Sequence, residues 1–297
     1  MELVPGSVKM QERKGQGRGM GAGSEGGATA VVEWRREGLG EIKGCGKGSG
    51  TAFGATTIVN AMPSGYGAAL GVCLSTVAEV EILDTPEVEV EIIGSGRVDD
   101  LLAREAFRTV VNKFGTMCGG RIVTRSEIPP ARGMKSSSAA SNAVVIATLN
   151  AIGAKLDPFE VVRLGVEASR RAGVTATGAF DDACASLFGG VNLTNNYNMR
   201  LINGSDLEEE LRAVFLVPEE QRYSGAVDMD RLRDFSKASL MAFSEAMEGR
   251  IWRAMIINGL LMARAFGSDP EPILEAVKEG AVSAGLSGKG PAYCAIV

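Results

Sequence analysis

The order in which strand and helix patterns follow one another constrains the fold of this chain more than any other feature. Alternating apolar and polar residues at 68–83 and 87–93 predict two paired strands with a proline in the turn between them. A helix pattern at 98–115 and a strand pattern at 120–128 come next, and a helix pattern from 137 to 152 follows them. The first half of the chain is therefore predicted to contain both strands and helices.

The later part of the chain continues this mixture. An Asp-Pro pair marks the start of a helix at 157–173. The remaining patterns are a short helix at 180–190, strands at 191–194 and 211–218, helices at 229–240, 241–266 and 270–283, and a strand at 292–297. Because strands and helices come in runs and not in strict β-α-β alternation, the pattern predicts an α+β fold built in layers.

Composition narrows the class of protein. The 297 residues are 45% hydrophobic and 23% charged, which is enough for one large domain or two small ones. A net charge of -5 gives no overall basic footprint for nucleic acid. No apolar run has the length of a membrane span, and the N-terminus has no apolar signal core. The five cysteines show no close pairs. We therefore expect a cytoplasmic protein with neither a nucleic-acid nor a membrane partner.

Both ends of the chain are unusual. Residues 1–49 are rich in glycine and nearly free of periodic apolar residues, so we interpret them as a disordered tail or as sequence upstream of the true start. A glycine/arginine tail that binds RNA is a weaker interpretation, because repeated Arg-Gly-Gly units and interleaved aromatic residues are missing. At the other end, the chain stops inside the last predicted strand, which leads us to expect a C-terminal truncation.

The chain contains no histidine. This removes the commonest general base and excludes Ser-His and Cys-His mechanisms. If the protein is an enzyme, its base must be Asp, Glu, Lys, Tyr or Cys. The 36 acidic residues make a carboxylate the first choice.

The segment 129–142, PPARGMKSSSAASN, places many hydroxyls at the start of a predicted helix. Two prolines hold the approach extended, and Gly133 allows a sharp turn. A helix N-terminus binds phosphate, and serine hydroxyls add donors and can ligate Mg²⁺. The alternative is an ordinary capped helix, but a cap needs one hydroxyl and this segment has four: Ser136, Ser137, Ser138 and Ser141. We therefore favour a phosphate site.

A second candidate is the glycine turn at 285–291, GLSGKGP, which feeds the last strand. Alternating glycines can form a backbone nest for an anion, although a helix C-cap followed by a turn explains them equally well. The two Gly-Lys pairs of the chain are not P-loops. Glu41 and Ser283 occupy the place of the first required glycine, and glycine follows both lysines.

The third candidate is the segment 175–186, TATGAFDDACAS, with Asp181 and Asp182 at a turn-to-helix junction. Helix capping would account for one of the two carboxylates. The functional interpretation is that Asp181 positions a substrate hydroxyl or accepts its proton, since histidine is absent.

These three segments occur in the order seen in the GHMP kinases, the superfamily of galactokinase and the homoserine, mevalonate and phosphomevalonate kinases. The phosphate motif of that superfamily resembles Pro-Pro-x-x-Gly-Leu-x-Ser-Ser-x-Ala. The matching positions here are Pro129, Pro130, Ala131, Arg132, Gly133, Met134, Lys135, Ser136, Ser137, Ser138 and Ala139. Within the superfamily, the stretches at 50–72, 135–145 and 178–190 resemble the archaeal-type shikimate kinases.

The resemblance implies a two-layer fold of the ribosomal-protein-S5-domain-2-like, GHMP kinase type. It implies an N-terminal ATP-binding domain at 50–210 and a shortened C-terminal domain at 211–297. The phosphates of ATP would lie on residues 130–139, with Gly288 and Gly290 completing the site. Mg²⁺ would be held by Ser137 and Glu167.

The same resemblance implies the reaction. ATP would phosphorylate shikimate to 3-phosphoshikimate, with Asp181 as the catalytic residue and Lys135 and Lys289 neutralising phosphate charge. The alternative is homoserine kinase or another small-molecule kinase of the superfamily. Arg132 and Arg222 are candidates for binding the carboxylate of shikimate. Many members carry a lysine in their first motif, but this chain has Ala52, Phe53, Gly54 and Ala55 there, so a lysine–aspartate pair cannot be assumed.

Overall fold

The computed structural model describes residues 46–94, 100–175, 178–207, 211–218 and 229–297. Almost all of the expected disordered tail therefore lies outside the described residues. The first strand begins at Lys47, a few residues before the point where the sequence pattern becomes periodic.

The described residues form nine strands and eight helices. The strands are β1 (Lys47–Val59), β2 (Tyr66–Leu83), β3 (Val88–Ile93), β4 (Gly119–Ser126), β5 (Val191–Asn195), β6 (Arg200–Ser205), β7 (Ala213–Leu216), β8 (Ser283–Leu286) and β9 (Tyr293–Ile296). The helices are α1 (Leu101–Lys113), α2 (Ser136–Ala151), α3 (Pro158–Arg171), α4 (Phe180–Phe188), α5 (Met229–Arg233), α6 (Ser236–Met247), α7 (Ile251–Phe266) and α8 (Glu271–Lys278).

The long strand β2 organises a six-stranded sheet. One edge of β2 pairs with β1, and the opposite edge is shared between β5 and β4, both antiparallel. The expected pairing of the strands at 68–83 and 87–93 is wrong. β4 lies between them, because β3 pairs with β4 in parallel and α1 makes the crossover that a parallel pair requires.

Helices α1 to α4 cover one face of this sheet, with α2 packed against β1 and β2. Their apolar residues form the main core around Phe107, Val110 and Ile122. The opposite face, along β1 to β4, carries exposed ion pairs such as Lys47–Glu81 and Arg125–Glu79. The sheet and the helices on it give the two layers that the resemblance implied. At the other end of the sheet, Ile58 of β1 and Ala68 and Leu70 of β2 belong to an apolar cluster with residues of α6 and α7.

The contact between β1 and α2 corrects the interpretation of the glycine-rich start. Gly46, Gly48 and Gly50 alternate along β1, and a Cβ on each would lie 1.8, 2.3 and 2.3 Å from the carbonyl oxygens of Ala151, Ala147 and Ala143. Those carbonyls are spaced four residues apart on one face of the helix. The glycines are therefore needed for backbone-to-backbone packing and do not mark disorder in this part of the chain.

The C-terminal residues form a three-stranded antiparallel sheet in the order β7-β9-β8, with helices α5 to α8. Three helices were expected between 229 and 283, but four are present, because Gly249 at φ 82° ends α6 and a new helix starts at Ile251. The last of them ends at Lys278, so the residues before the glycine turn form β8 and not helix. β6 was not predicted from the sequence. In the described ranges, no helix is long and apolar enough to cross a bilayer.

Replacing Gly48 by alanine tests the packing of β1 on α2. The added Cβ would lie 2.3 Å from both the Ala147 oxygen and the Ala151 nitrogen, so backbone must move. We expect Gly48→Ala to lower the free energy of unfolding by about 2–3 kcal/mol, measured by urea denaturation. Gly204→Ala is the control, because its nearest neighbour would be a side-chain carbon of Leu201 at 3.5 Å. Equal losses in the two variants would contradict the interpretation.

Candidate active site

The N-terminus of α2 carries no side-chain cap. The N-cap residue is Lys135, held in a left-handed conformation at φ 64°, and its side chain makes no capping hydrogen bond. The Ser141 hydroxyl turns back to donate to the Ser138 carbonyl, 3.1 Å away. The capped-helix interpretation is therefore not supported. Backbone N–H groups of the first turn remain available to bind an anion.

The approach to α2 interlocks with the glycine turn at 285–291, far away in sequence. Gly133 has φ 86°, and a Cβ there would lie 2.2 Å from the Ser287 carbonyl oxygen. The Ser287 hydroxyl donates to the Gly133 carbonyl at 2.7 Å, and the Ala292 N–H donates to the Arg132 carbonyl at 3.2 Å. The structure thus brings together the first two candidate segments.

The end of β1 holds the glycine turn on its other side. The Gly288 N–H donates to Thr57 Oγ1 at 2.9 Å, and Asn60 Nδ2 donates to the Gly288 carbonyl at 2.9 Å. The Asn60 backbone N–H donates in turn to Asn258 Oδ1 on α7, also at 2.9 Å. Sequence reasoning missed Thr57 and Asn60. In the sequence, Thr57 and Asn60 stand out only as polar residues in an otherwise apolar stretch at the end of β1. Such a pattern has several explanations.

These segments, together with the start of α4, line one cleft. Its lining includes Thr57, Asn60, Ala61, Met62, Ala131, Gly133, Lys135, Ser136, Ser137, Ser138, Ser169, Val174, Thr175, Ala179, Asp181, Asp182, Gly288 and Lys289. The third candidate segment thus faces the first two.

Several residues of the expected phosphate site lie behind the lining of the cleft. Met134 and Ala139 are buried in a small core cluster, and the Met134 carbonyl accepts from the Ala55 N–H at 3.3 Å. The Gly290 N–H closes the turn by donating to Ser287. The guanidinium of Arg132 donates to the Pro218 carbonyl. With Pro130, these residues shape the loops without lining the cleft. Arg222 lies outside the described residues.

Lys135 and Asp182 form a mostly buried ion pair in the cleft. Lys135 Nζ lies 2.9 Å from Oδ1 and 3.0 Å from Oδ2 of Asp182, and the two side chains are 10% and 14% exposed. The first motif of this chain has no lysine, so the sequence did not predict a lysine–aspartate pair. The structure forms one from the first and third candidate segments.

Asp181 is held by a different set of groups. It lies in the first turn of α4, where the N-cap residue is Ala179 and no side chain caps the helix, so capping does not explain either aspartate. Asn196 Nδ2 donates to Asp181 Oδ1 at 2.7 Å, and the Asp181 N–H donates to Asn196 Oδ1 at 3.1 Å. On the other side, a Cβ on Gly67 would lie 2.4 Å from Asp181 Oδ2. The carboxylate therefore packs directly on the backbone of β2.

Burial, and after it the neighbouring carboxylate of Asp182, raise the pKa of Asp181, whereas the Lys135 ammonium and the hydrogen bond from Asn196 lower it. The balance of these effects raises the pKa of Asp181 to about 7. A carboxyl group that titrates near neutral pH is suited to accept a proton from a hydroxyl.

The expected metal ligand Glu167 does not reach the cleft. Its side chain is about half exposed and pairs with Arg171 one turn further along α3. Two residues on, Ser169 lines the cleft. Successive helical positions differ by about 100° in direction, so Ser169 and Glu167 cannot face the same way. Among the described residues, no group of three or more Asp, Glu, His or Cys is arranged to hold a metal ion.

Comparison with known proteins identifies the family. A family model described as the GHMP kinases N terminal domain matches residues 101–190. The shikimate kinase of Methanothrix thermoacetophila is 45% identical over 238 residues, which cover 80% of this chain and 81% of that protein. The shikimate kinase of Pyrococcus abyssi is 42% identical over 244 residues, covering 80% of this chain and 86% of that protein.

Solved structures agree on the fold. The mevalonate kinase of L. major in complex with R-mevalonate superposes with a TM-score of 0.66 at 16% identity, covering 86% of this chain and 89% of that one. Homoserine kinase from Cytophaga hutchinsonii gives a TM-score of 0.64 at 17% identity, covering 90% of this chain and 88% of that one. Together with the identity to the archaeal relatives, these findings show that the chain belongs to the GHMP kinases and, within them, to the archaeal-type shikimate kinase family.

Proposed function

We propose that this protein is a kinase that transfers the γ-phosphoryl group of ATP to shikimate, giving 3-phosphoshikimate. One structural observation supports the proposal independently of the names of the relatives. The uncapped N-terminus of α2 and the buried carboxylate of Asp181 face each other across one cleft. An anion-binding helix end opposite a proton acceptor is the arrangement that phosphoryl transfer to a hydroxyl needs.

In this proposal, the phosphates of ATP bind at the first turn of α2. The backbone N–H groups of Ser136, Ser137 and Ser138 supply donors, and the helix dipole favours negative charge there. Gly288 has φ 63°, and a Cβ there would lie 3.2 Å from Lys135 Nζ and 3.7 Å from the Gly133 carbonyl oxygen, so a glycine at this position leaves room for a phosphate beside the two loops. Residues 50–210 would form the ATP-binding domain and residues 211–297 the C-terminal domain.

The donor set of the cleft fits a Mg²⁺ ion that arrives with the nucleotide. Mg²⁺ prefers oxygen ligands and commonly keeps phosphate oxygens, waters and one or two carboxylates. The Ser137 hydroxyl lines the cleft and can join such a set, whereas Glu167 cannot, and both oxygens of Asp182 are held by Lys135. When bound, the ion would neutralise charge that develops on the phosphates.

Asp181 would orient the acceptor hydroxyl and take its proton. Its rigid support on Gly67 and Asn196 fixes the carboxylate before substrate binds, which lowers the entropic cost of reaching the reactive geometry. Lys135 is the N-cap residue of α2 and pairs with Asp182, the residue after the proton acceptor, and Lys289 adds positive charge to the same cleft. The four described free cysteines, none in a disulfide, support a cytoplasmic location.

The proposal is tested by measuring ADP release from Mg-ATP with shikimate, homoserine and mevalonate offered separately. Turnover with shikimate alone is the expected result. Turnover with homoserine or mevalonate alone would keep the kinase and overturn its substrate. No ADP release with any of the three would contradict the proposed reaction.

Replacing Asp181 by alanine tests the role of the carboxylate. We expect Asp181→Ala to lower kcat by about 10²–10⁴-fold while the Kd of Mg-ATP rises less than about threefold. Turnover assays measure kcat, and nucleotide titration measures the Kd of Mg-ATP. The control is Asp157→Ala, since Asp157 caps α3 through the Phe159 N–H outside the cleft. That variant should melt at a lower temperature and keep its kcat; unchanged turnover in Asp181→Ala would exclude this residue as the base.

The pH dependence of kcat/KM for shikimate reports on the same group. Only the deprotonated form of Asp181 accepts a proton, and its pKa is raised to about 7. We therefore expect kcat/KM to fall about tenfold per pH unit below that pKa and to level off above it. Burial raises the pKa of the nearby Cys184 thiol well above its ordinary value, so that thiol does not titrate on this limb. An identical acidic limb in Asp181→Ala would assign the limb to another group.

Mg²⁺ dependence distinguishes the two expected metal ligands. We expect Ser137→Ala to raise the Mg²⁺ concentration for half-maximal rate several-fold, because a hydroxyl ligand is lost. Glu167→Ala should leave that concentration unchanged, because its carboxylate pairs with Arg171 away from the cleft. The reverse pattern would contradict the assignment of Ser137.

A further inference from the structure

We propose that Asn196 is a positioning residue that fixes the orientation of the Asp181 carboxylate for the acceptor hydroxyl, an inference that rests on the proposed kinase function. Asn196 follows β5 directly and is almost completely buried. It lies outside all three segments that the sequence singled out. Its role would be to hold the proton acceptor and not to touch substrate.

Asn196 takes part in four hydrogen bonds, and two of them are to Asp181. Its Nδ2 donates to Asp181 Oδ1 at 2.7 Å, and its Oδ1 accepts from the Asp181 N–H at 3.1 Å. The Thr194 hydroxyl donates to the same Oδ1 at 2.7 Å, and the Asn196 N–H donates to the Gly65 carbonyl at 2.8 Å. One side chain therefore binds both the main chain and the side chain of Asp181.

Only one orientation of the amide satisfies these contacts. The Asp181 N–H can only donate, and the Asp181 carboxylate can only accept, so Asn196 must present its oxygen to the first and its nitrogen to the second. A flipped amide would set Oδ1 against the carboxylate and Nδ2 against an N–H group. Asparagine therefore fits these contacts, whereas an ionised aspartate, which has the same shape, has no hydrogen-bond donor.

The hydrogen bond from Asn196 fixes Oδ1 of Asp181, and Oδ2 lies beside Gly67 of β2. Both oxygens of the carboxylate are therefore held in place. Asp181 lines the cleft although only 4% of its surface is exposed. A carboxylate fixed at a cleft wall can accept a proton from a hydroxyl placed there.

The charged and titratable groups that face Asp181 do not hold it in this orientation. The carboxylate of Asp182 repels it, and the Lys135 ammonium that attracts it is paired with Asp182. The Cys184 thiol on the same helix is buried and has a raised pKa, so it stays neutral. Lys289 lines the same cleft. Asn196 is the described side chain that hydrogen-bonds both the carboxylate and the N–H of Asp181, and the Asp182 backbone adds a hydrogen bond to the carboxylate.

The variants Asn196→Ala and Asn196→Asp test the proposal, with Asn195→Ala as the matched control. Asn195 is the preceding residue, and its side chain accepts only from the turn N–H groups of Tyr197 and Asn198. We expect Asn196→Ala to lower kcat about 10- to 100-fold with an unchanged KM for ATP. Asn196→Asp should be worse than alanine despite its matching shape, because it faces Asp181 with a second carboxylate. Asn195→Ala should keep kcat.

Titration of the ¹³C-labelled Asp181 carboxyl, assigned by comparison with Asp181→Asn, gives a readout that needs no substrate. Loss of the hydrogen bond to the ionised form should raise the midpoint in Asn196→Ala and raise it further in Asn196→Asp. An unchanged midpoint in both would overturn the proposal even if shikimate proves to be the substrate. A raised midpoint without turnover of shikimate would support the role of Asn196 in holding Asp181 and contradict shikimate as the substrate.

A double-mutant cycle separates positioning from general structural damage. If Asn196 acts through Asp181, Asn196→Ala should change kcat less than about twofold in an Asp181→Ala background. An equal loss in both backgrounds would overturn the proposal. Should Asn196→Ala fail to fold, Thr194→Val removes only the hydroxyl that fixes the amide oxygen. Thr194→Val should shift the titration midpoint of the Asp181 carboxyl in the same direction by a smaller amount. An unchanged midpoint would contradict the proposed role of Asn196.

Discussion

The backbone contact between β1 and α2 determines where the N-terminus of the helix, the proposed phosphate site, lies. Alternate glycines on the strand let the carbonyls of Ala143, Ala147 and Ala151 approach to distances that any side chain would prevent. Such close packing leaves few ways for the helix to slide or rotate on the sheet. Its N-terminus is therefore fixed against the end of β1, where Thr57 and Asn60 hold the glycine turn.

A second close approach joins parts of the chain that are distant in sequence. Gly133 and Ser287 contact each other through their backbones, and the Ser287 hydroxyl seals the contact. Hydrogen bonds satisfy the polar groups that these loops bury, so the loops stay ordered although they have no regular structure. An anion-binding site made of backbone N–H groups depends on such order, since flexible loops would lose entropy on binding.

The adjacent aspartates show how neighbouring residues in a helix acquire different chemistry. Asp182 pairs with a lysine, whereas Asp181 is buried against backbone and an asparagine. Burying charge is costly unless it is paired or hydrogen-bonded, and the two carboxylates meet this requirement in different ways. The result is one carboxylate committed to an ion pair and one with a pKa near neutral, available to exchange a proton.

The sequence by itself determined the α+β class and most helix positions, and it indicated the proposed phosphate segment and Asp181 as the proposed proton acceptor, because these depend on local periodicity, helix ends and the absence of histidine. Sheet order, the extra helix break, Asn196 and the Lys135–Asp182 pair were decided only by the tertiary structure. Glu167 illustrates the reason: its spacing suited a metal ligand, but helix rotation set by packing turned it away from the cleft. Periodicity reveals which residues share a face of one element. It does not reveal which faces of separate elements meet, because that depends on long-range packing.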